Sequence, residues 1–407
     1  MEERNFFMKK YYKIVGLTLS IVLISLNFVG CTNLQSKNND EITVWCNLSN
    51  YEVLQVDAVA QKWAKENKKK VKVYSDKGDN RAFIAAAKAK MEPDIQFGVS
   101  HDKMDKLNHE KLLAELPKGF LDESKYTKSS LSTVTFDKKL YGVPISVETY
   151  ALYYNKDKVK KLPETLEELI AEGKELGFEY DINNFYLSFP FIQVNGGYIF
   201  KNNNGKYDIR DIGLNNEGAV KGYSIIQDMV QKYNLMPSNI DGITARNKFK
   251  EGKIAFYFSA SSDISDINTS NINYAVTKLP TYNGKQMNTF VSCKDAFVTS
   301  KAKDNKEVWD LLKYLIEKTP EPLYKTVGRL PALNLDNSIS EVKNNDKVKM
   351  FVKQAEYGEV IPNVTEIQAL QDSNKIFTLL TSGKISAKEC GNEIENKIKK
   401  FIEKEKQ

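Results

Sequence analysis

The chain has 407 residues and a composition that fits a soluble globular protein, with 41% hydrophobic and 28% charged residues. Its 59 basic residues are offset by 53 acidic ones, which leaves a formal net charge of +6. The two signs mostly alternate, as on solvated helix faces, and this pattern argues against a nucleic-acid partner. The length predicts at least two domains with a sizeable core.

The first 31 residues predict a targeting segment. Basic residues precede an apolar run over residues 14–29, and this run ends at Gly30-Cys31. A positive end, an apolar stretch and a small residue before the cut are typical of a signal peptide. The ending resembles a bacterial lipobox, in which Cys31 is lipidated and becomes the new N-terminus, although Phe28 replaces the usual leucine. The alternative is an uncleaved membrane anchor, for which the run is short. Either way, the body lies outside the cytoplasmic membrane.

Residues 32–41 are polar and without period, which predicts a flexible tether. Three cysteines follow it, namely Cys46, Cys293 and Cys390. An odd number with such wide spacing is no disulfide framework, and although one pair can still form outside the cell, the spacing does not say which. Buried small side chains are the favoured interpretation.

The first hundred residues of the body alternate between strand and helix patterns. The pattern predicts strands at 42–45, 71–73 and 94–97, with an amphipathic helix over 53–63 and an alanine-rich helix over 81–90. Strand, helix, strand, helix, strand is the order of a parallel sheet. Ligands bind beyond the carboxyl ends of such strands, so a site is expected at 46–51, 75–80 and 98–103.

The segment at 140–157 predicts a crossing of the chain between two lobes. Residues 140–143 and 150–154 are strand-like, Pro144 is unsuited to a central ladder position, and Glu148 lies in the joint. An ordinary bend within one sheet is the alternative. A return crossing is predicted at 290–299.

The later elements are predicted from local signals. The sequence predicts a helix at 163–177, an aromatic cluster at 183–191, a hairpin at 196–213, a helix at 218–232, a strand at 254–258 and an apolar segment at 274–281. The last helix should begin with a capping box formed by Ser386 and Glu389. Its apolar stripe consists of Cys390, Ile394, Ile398 and Phe401.

Few residues suit covalent or metal chemistry. The chain has two histidines, His101 and His109, and none of the familiar motifs for zinc, serine nucleophiles or phosphate binding. We interpret His101 as a cleft-edge or surface residue, and we predict no cofactor, metal or catalytic residue. A glycan-cleaving enzyme is the rival class, since it needs two carboxylates across a sugar bond, and only Glu148 and Asp102 are candidates.

Binding chemistry is better represented, because sugars are held by aromatic faces and planar polar groups in largely apolar pockets. The candidate residues are Trp45, Asn47, Asp102, Glu148 and Tyr186. Each has a structural alternative. Trp45 and Tyr186 can belong to the core, Asn47 can cap the next helix, and the two carboxylates can be solvated surface groups.

From residue 42 to the end, the chain resembles the bacterial maltose/maltodextrin-binding protein family, the solute receptors of ABC importers. The matching runs are ITVWCN, PDIQF, LLAEL, PISVETYALYYNKD, NGGYIFKNNNGKYDIRDIG, INTSNINYAVTKLPTYNG and GEVIPN. The resemblance implies a two-lobe α/β periplasmic-binding-protein fold with a ligand cleft, several hinge crossings and hinge closure. The N-terminal lobe would comprise 42–147 with 293–338, and the C-terminal lobe 148–292 with 339–407. The implied partners are a saccharide and the membrane subunits of an ABC permease, with a monomer held to the membrane by its lipid only.

The five candidate binding residues occupy positions resembling the sugar-contacting or cleft-lining residues of that family. Other positions depart from it. An Asp-Lys pair is replaced by Ser49-Asn50, a glutamate by Asn184, two arginines by Lys103 and Lys375, and two tryptophans by Ser262 and Gln371, while a tryptophan near Gly98–Val99 is missing. Further cleft candidates are Tyr150, Phe185, Tyr257 and Phe258. These departures predict a ligand other than a maltodextrin, either a different, short saccharide or a non-sugar.

Overall fold

The computed structural model describes residues 41–203 and 206–405. The predicted signal segment, the lipid attachment point Cys31 and nearly all of the tether lie outside the described residues. Within those ranges no helix is both long and apolar enough to cross a membrane.

The helices follow one another along the whole body. They are α1 (Asn50–Asn67), α2 (Asn80–Lys88), α3 (Met104–His109), α4 (Lys128–Ser132), α5 (Leu166–Leu176), α6 (Phe185–Gln193), α7 (Glu217–Gln231), α8 (Gly242–Lys250), α9 (Asp263–Ile267), α10 (Lys306–Lys318), α11 (Pro320–Val327), α12 (Ser340–Lys343), α13 (Asp346–Glu356), α14 (Asn374–Thr381) and α15 (Ala387–Glu405).

The strands are mostly short. They are β1 (Glu41–Cys46), β2 (Lys70–Ser75), β3 (Ile95–Ser100), β4 (Thr135–Phe136), β5 (Lys139–Leu140), β6 (Val143–Glu148), β7 (Tyr150–Asn155), β8 (Phe178–Glu179), β9 (Tyr198–Asn203), β10 (Lys206–Gly213), β11 (Phe256–Ala260), β12 (Tyr274–Thr277), β13 (Thr281–Tyr282), β14 (Lys285–Gln286), β15 (Phe290–Val298) and β16 (Glu359–Val360).

Each of the two lobes is built on one large sheet. The first sheet has the strand order β16-β15-β3-β1-β2, and β6 also pairs with β15. The second has the order β12-β7-β11-β8. In the first sheet β1 and β3 run parallel, with Val44 opposite Ile95, as the alternating strand and helix patterns predict. The predicted hairpin is also present, since β9 and β10 pair antiparallel.

The chain crosses between the sheets at Thr149, which separates β6 of the first sheet from β7 of the second. Its buried hydroxyl donates to the carbonyl of Phe290 at 2.9 Å and lies 2.8 Å from the hydroxyl of Thr289. The return crossing therefore touches the outward one where β15 begins. The crossing predicted at 140–157 and its return at 290–299 are both correct.

The structure corrects one expectation for an individual segment and adds the secondary structure of another. Pro144 does not separate two strands but lies inside β6, opposite Asp295. A proline is compatible with this position because, among the strands, β6 pairs only with β15, and the bridge on its other side is confined to Ser146 and Pro331. The aromatic cluster at 183–191 is the helix α6, whose first turn is capped by the Asn184 side chain.

The final helix and the cysteines follow the sequence patterns. The Glu389 carboxylate accepts from the Ser386 backbone N–H at 2.7 Å and from its hydroxyl at 2.8 Å, while Ser386 Oγ accepts from the Glu389 N–H. Three residues of the predicted stripe are fully buried and Phe401 is half-buried. The cysteines of the body are free and buried, as expected.

Candidate ligand-binding cleft

The carboxyl ends of β1, β2 and β3 meet, as expected for neighbouring strands of one sheet. Asn47 donates its side-chain N–H to the carbonyl of Asp76 at 2.9 Å and its backbone N–H to Phe97 at 2.8 Å. Asn80 donates to the carbonyl of Lys103 at 3.1 Å. The three loops predicted to form a site are therefore joined by hydrogen bonds.

Gly98 lets these loops approach one another closely. It has φ +83°, and a Cβ at this position would lie 2.4 Å from Cγ of Leu48. A side chain there would meet both a steric clash and an unfavourable backbone conformation. At Gly98 itself there is therefore no room for the tryptophan that the resemblance implies near Gly98–Val99.

A cavity of about 340 Å³ lies between elements of both lobes. From the first lobe, Ser49 and Glu52 line it at the start of α1. The crossing contributes Glu148, Thr149 and Tyr150. The second lobe contributes residues 260–262 at the end of β11, and residues 327–330 complete the wall. This cavity brings together four of the predicted residues, namely Ser49, Glu148, Tyr150 and Ser262.

Arg329 links two carboxylates in this cavity and is a residue that the sequence patterns did not reveal. Its Nε donates to Glu52, while its Nη1 donates to Glu148 at 2.9 Å and to Ser146 Oγ at 3.3 Å. The Glu52 side chain is only 2% exposed and also accepts from the Ser49 backbone N–H and hydroxyl. Burial alone would raise the pKa of Glu52, but Arg329 and Ser49 outweigh it and lower the pKa.

Glu148 differs from Glu52 because its side chain is 51% exposed. Only Oε1 is engaged by Arg329, so Oε2 is available to a ligand in the cavity. Tyr150 lies close to this carboxylate, and Tyr186 is in turn a neighbour of Tyr150. Burial raises the pKa of Tyr150, and the charge of Glu148 and the neighbouring Tyr186 raise it further. Burial, followed by the charge of Asp102, raises the pKa of Tyr186 to about 12. Asp102, Glu148, Tyr150 and Tyr186 therefore share one electrostatic neighbourhood.

A row of polar side chains on one face of the first sheet also escaped the sequence analysis. In the antiparallel pairs of β15, Ser292 lies opposite Glu148, and Lys294 lies opposite both Ser146 and Ser100. Paired residues of an antiparallel ladder point to the same face, as do residues two apart. The alternation of Ser292 and Lys294 with buried Cys293 and Asp295 was a detectable signal in the sequence.

Several predicted residues lie elsewhere. Trp45 packs edge-on against Phe83, with ring centroids 6.0 Å apart, and belongs mostly to the core of the first lobe. Phe185, Tyr257 and Phe258 are buried in the core of the second lobe, so the expectation that they line the cleft is not met. Asn184 caps α6, and Asn50 is the exposed first residue of α1. Gln371 and Lys375 are exposed and lie outside the cavity.

His101 corrects another expectation, since it is a buried residue that connects three segments. Its Nδ1 accepts from the backbone N–H of Cys293 at 3.2 Å, so Nε2 carries the hydrogen and donates to the carbonyl of Ile361 at 2.8 Å. Burial lowers the pKa of His101, which keeps the ring neutral. The residue holds the end of β3 against β15 rather than facing solvent.

Two other features bear on the kind of site. Nowhere in residues 41–203 and 206–405 do three or more His, Cys, Asp or Glu side chains form a group that could hold a metal ion. A larger depression of about 770 Å³ lies on the second lobe, around residues 156–164 and 277–281. It contains none of the predicted site residues, so the cavity at Glu148 is the better candidate.

Comparisons with known proteins agree with this architecture. The family model described as bacterial extracellular solute-binding protein matches residues 58–352. The galactooligosaccharide-binding protein of Bacillus subtilis is 31% identical, over 90% of this chain and 92% of that protein. A maltooligosaccharide ABC transporter solute-binding lipoprotein of Streptococcus pneumoniae is 27% identical, over 97% and 98%.

Solved structures of similar proteins have the same fold. The maltose-maltodextrin binding protein of Alicyclobacillus acidocaldarius is 32% identical with a TM-score of 0.75, covering 88% of this chain and 100% of that one. A cyclo/maltodextrin-binding protein complexed with maltotetraose has a TM-score of 0.81 at 25% identity, covering 89% and 97%. With the cleft, the two sheets and the crossings in place, this chain belongs to the family of bacterial extracellular solute-binding proteins.

Proposed function

We propose that this protein is an extracytoplasmic receptor that binds an oligosaccharide between its lobes and delivers it to an ABC importer. The observation that carries the proposal is the cavity at Glu148, where an exposed carboxylate oxygen, the ring of Tyr150 and serine hydroxyls face one space between the lobes. Tyrosine rings stack on sugar C–H faces, and carboxylates accept from sugar hydroxyls. The relatives named for galactooligosaccharide and maltooligosaccharide binding support the same ligand class.

Binding without chemistry distinguishes this proposal from the rival glycan-cleaving enzyme. The purified protein should be incubated with a panel of galacto-, malto- and other oligosaccharides, and bound and free sugars should be weighed by mass spectrometry. A receptor returns its ligand intact, so shortened products would contradict the proposal. If no saccharide binds, the protein is instead a receptor of the same fold whose ligand is not a sugar.

The lobe boundaries are part of the proposal. The N-terminal lobe comprises residues 42–147 with 293–338, and the C-terminal lobe 148–292 with 339–407. The family relationship and the buried contact of Thr149 with Phe290 support boundaries at these crossings. A hinge at this contact would let the monomeric receptor close on its ligand and present both lobes to the permease.

Attachment to the membrane is proposed to occur through lipidated Cys31 alone. The apolar run that ends in Gly30-Cys31 motivates it, and the name of the pneumococcal relative, which includes "lipoprotein", supports it. One acyl chain anchors only marginally, so at least two chains are expected. Replacing Cys31 with alanine should abolish incorporation of radiolabelled fatty acid. Continued labelling of Cys31→Ala would contradict this attachment point.

A further inference from the structure

Lys294 is a half-buried cation in the middle of the polar row on the first sheet. Its neighbours across the ladder are Ser146 on one side and Ser100 on the other. The Ser146 hydroxyl accepts a hydrogen bond from Arg329 Nη1, and Glu148 lies two residues further along the same face. Lys294 therefore belongs to the sheet face that also carries the exposed carboxylate of the cleft.

Lys294 has no ionic or hydrogen-bond partner for its ammonium group anywhere in the described part of the chain. Arg329, the neighbouring cation, is by contrast engaged by Glu52 and Glu148. Burial lowers the pKa of Lys294, while Glu148 and Asp102 oppose that effect and Arg329 and Lys103 add to it. A desolvated ammonium without a partner is unfavourable, so a group from outside the chain is expected to complete the site.

Asp102 lacks a hydrogen-bond donor, just as Lys294 lacks an acceptor. Its Oδ1 atom is buried and lacks a hydrogen-bond partner among the described residues. Asp102 comes two residues after Ser100, the ladder neighbour of Lys294, and its charge acts on both Lys294 and Tyr186. This side of the first sheet thus carries an ammonium that needs an acceptor and a carboxylate that needs a donor.

A hydroxyl group can satisfy either of them, because it donates one hydrogen bond and accepts two. A carboxylated ligand would suit Lys294 but repel Asp102 and Glu148, and a basic ligand would have the reverse problem. Neighbouring hydroxyls on one neutral sugar ring can accept from Lys294 and donate to the two carboxylates. The charges of this face therefore match a neutral saccharide better than an acidic or basic one.

We propose that Lys294 is a specificity-determining residue that donates hydrogen bonds to the hydroxyl groups of a neutral saccharide, between the acceptors Asp102 and Glu148. This inference rests on the proposed receptor function. In this contact Lys294 carries the charge, and the saccharide is neutral.

Substitution of Lys294 by methionine tests the contact, because methionine keeps the unbranched apolar stem and removes the ammonium group. Galactotriose and maltotriose are titrated by calorimetry into the wild-type protein and into Lys294→Met. Loss of a charged hydrogen-bond donor should weaken the trisaccharide affinity about 10- to 150-fold. The melting temperature of Lys294→Met should be unchanged or higher, because the substitution removes an unpaired, desolvated charge. The exposed Lys285, in β14, provides the matched control Lys285→Met, which should change neither quantity.

Acylation of lysines provides a second measurement that needs no substitution. The wild-type protein is treated with an amine-reactive acetylating reagent with and without saturating trisaccharide, and modified lysines are quantified by mass spectrometry. Bound trisaccharide should protect Lys294 but not Lys285. Absence of protection would overturn the proposal even if Lys294→Met failed to fold.

The outcomes separate the two levels of inference. Equal binding of a trisaccharide by the wild-type protein and Lys294→Met would overturn the role of Lys294 and leave the receptor function standing. A wild-type protein that binds neither trisaccharide would overturn this inference for these two sugars, whereas one that binds no oligosaccharide of the glycan panel would contradict the receptor function as well. Preferential binding of uronate-containing oligosaccharides would overturn the assignment of a neutral ligand.

Discussion

The surroundings of Glu148 predict that it acts on ligand affinity and hardly on stability. Its side chain is half exposed, and Arg329 orients only one of its two oxygens. Replacing Glu148 with alanine removes a charged acceptor, which should cost about 1.5–3 kcal/mol of binding free energy, or roughly 10- to 150-fold in affinity. Calorimetry with the saccharide found in the glycan panel measures this. Unchanged affinity in Glu148→Ala would sink the assignment, while exposed Glu110→Ala serves as a control.

For Arg329 we expect the opposite: its replacement should act mainly on the free energy of unfolding and less on ligand affinity. Arg329→Met leaves the Glu52 carboxylate buried without its cation, although Ser49 still donates two hydrogen bonds. Breaking a buried pair costs about 3–5 kcal/mol, and the remaining bonds suggest about 3 kcal/mol here. Urea unfolding should show this loss, and the double variant with Glu52→Gln should recover much of it.

A surface ion pair supplies the comparison for Arg329. Lys325 contacts Glu321 and Glu341, but its side chain is 56% exposed, so Lys325→Met should lower the free energy of unfolding far less than Arg329→Met does. Similar losses of unfolding free energy in Arg329→Met and Lys325→Met would contradict the buried role of Arg329.

At the scale of elements, His101 joins β3 to β15 and predicts a pH dependence of stability. Burial lowers its pKa in the folded protein below the ordinary value of 6.5. The unfolded chain therefore binds a proton first as the pH falls, and stability is lost below about pH 6.5 while it is fully present above. The melting temperature should drop between pH 7 and pH 5 in the wild-type protein, and less steeply in His101→Gln.

His109 is the matched control for this prediction, because its side chain is 77% exposed. His109→Gln should retain the wild-type pH dependence of melting. If His101→Gln also retained it, another group would be responsible for acid sensitivity.

At the scale of the whole molecule, the composition of the cleft predicts weak binding of maltose and maltotriose. The family places tryptophans where this chain has Ser262 and Gln371, and both residues are exposed. An aromatic contact contributes roughly 0.5–1.5 kcal/mol beyond the area it buries, and burying the ring contributes about 2–3 kcal/mol. Losing two should lower the affinity for a linear glucan by on the order of three decades or more.

Calorimetric titration of the purified protein with maltose and maltotriose checks this prediction. A micromolar or tighter dissociation constant for either sugar would show that the missing tryptophans do not decide specificity. Ser262→Trp provides a gain-of-function comparison, because Ser262 lines the cavity and a ring there should strengthen maltotriose binding. Exposed Ser224→Trp, in α7 of the second lobe, should have no effect.

The sequence by itself determined those features that depend on neighbours along the chain. The alternation in β1, the hairpin β9–β10 and the capping box of Ser386 and Glu389 each arise within a few residues. The crossing at Thr149 was partly predictable, because Glu148 interrupts an otherwise apolar run next to it, whereas Pro144 lies inside β6 and does not mark the crossing. Long matching runs then indicated the family and hence the two-lobe fold.

The tertiary structure alone decided which side chains face the cleft. Tyr257 and Phe258 are adjacent in β11 and point to opposite faces, yet both are buried because side chains pack on each face of the second sheet. Tyr257 packs against Phe249, and Phe258 packs against Tyr180. Arg329 meets Glu148 and Glu52 across 181 and 277 residues, a distance that no local pattern spans. Lys294 was visible in the alternation of β15, but only the pairing with β6 and β3 shows which face it shares. Local propensity sets an element, whereas side-chain partners depend on which strands become neighbours after the chain has folded.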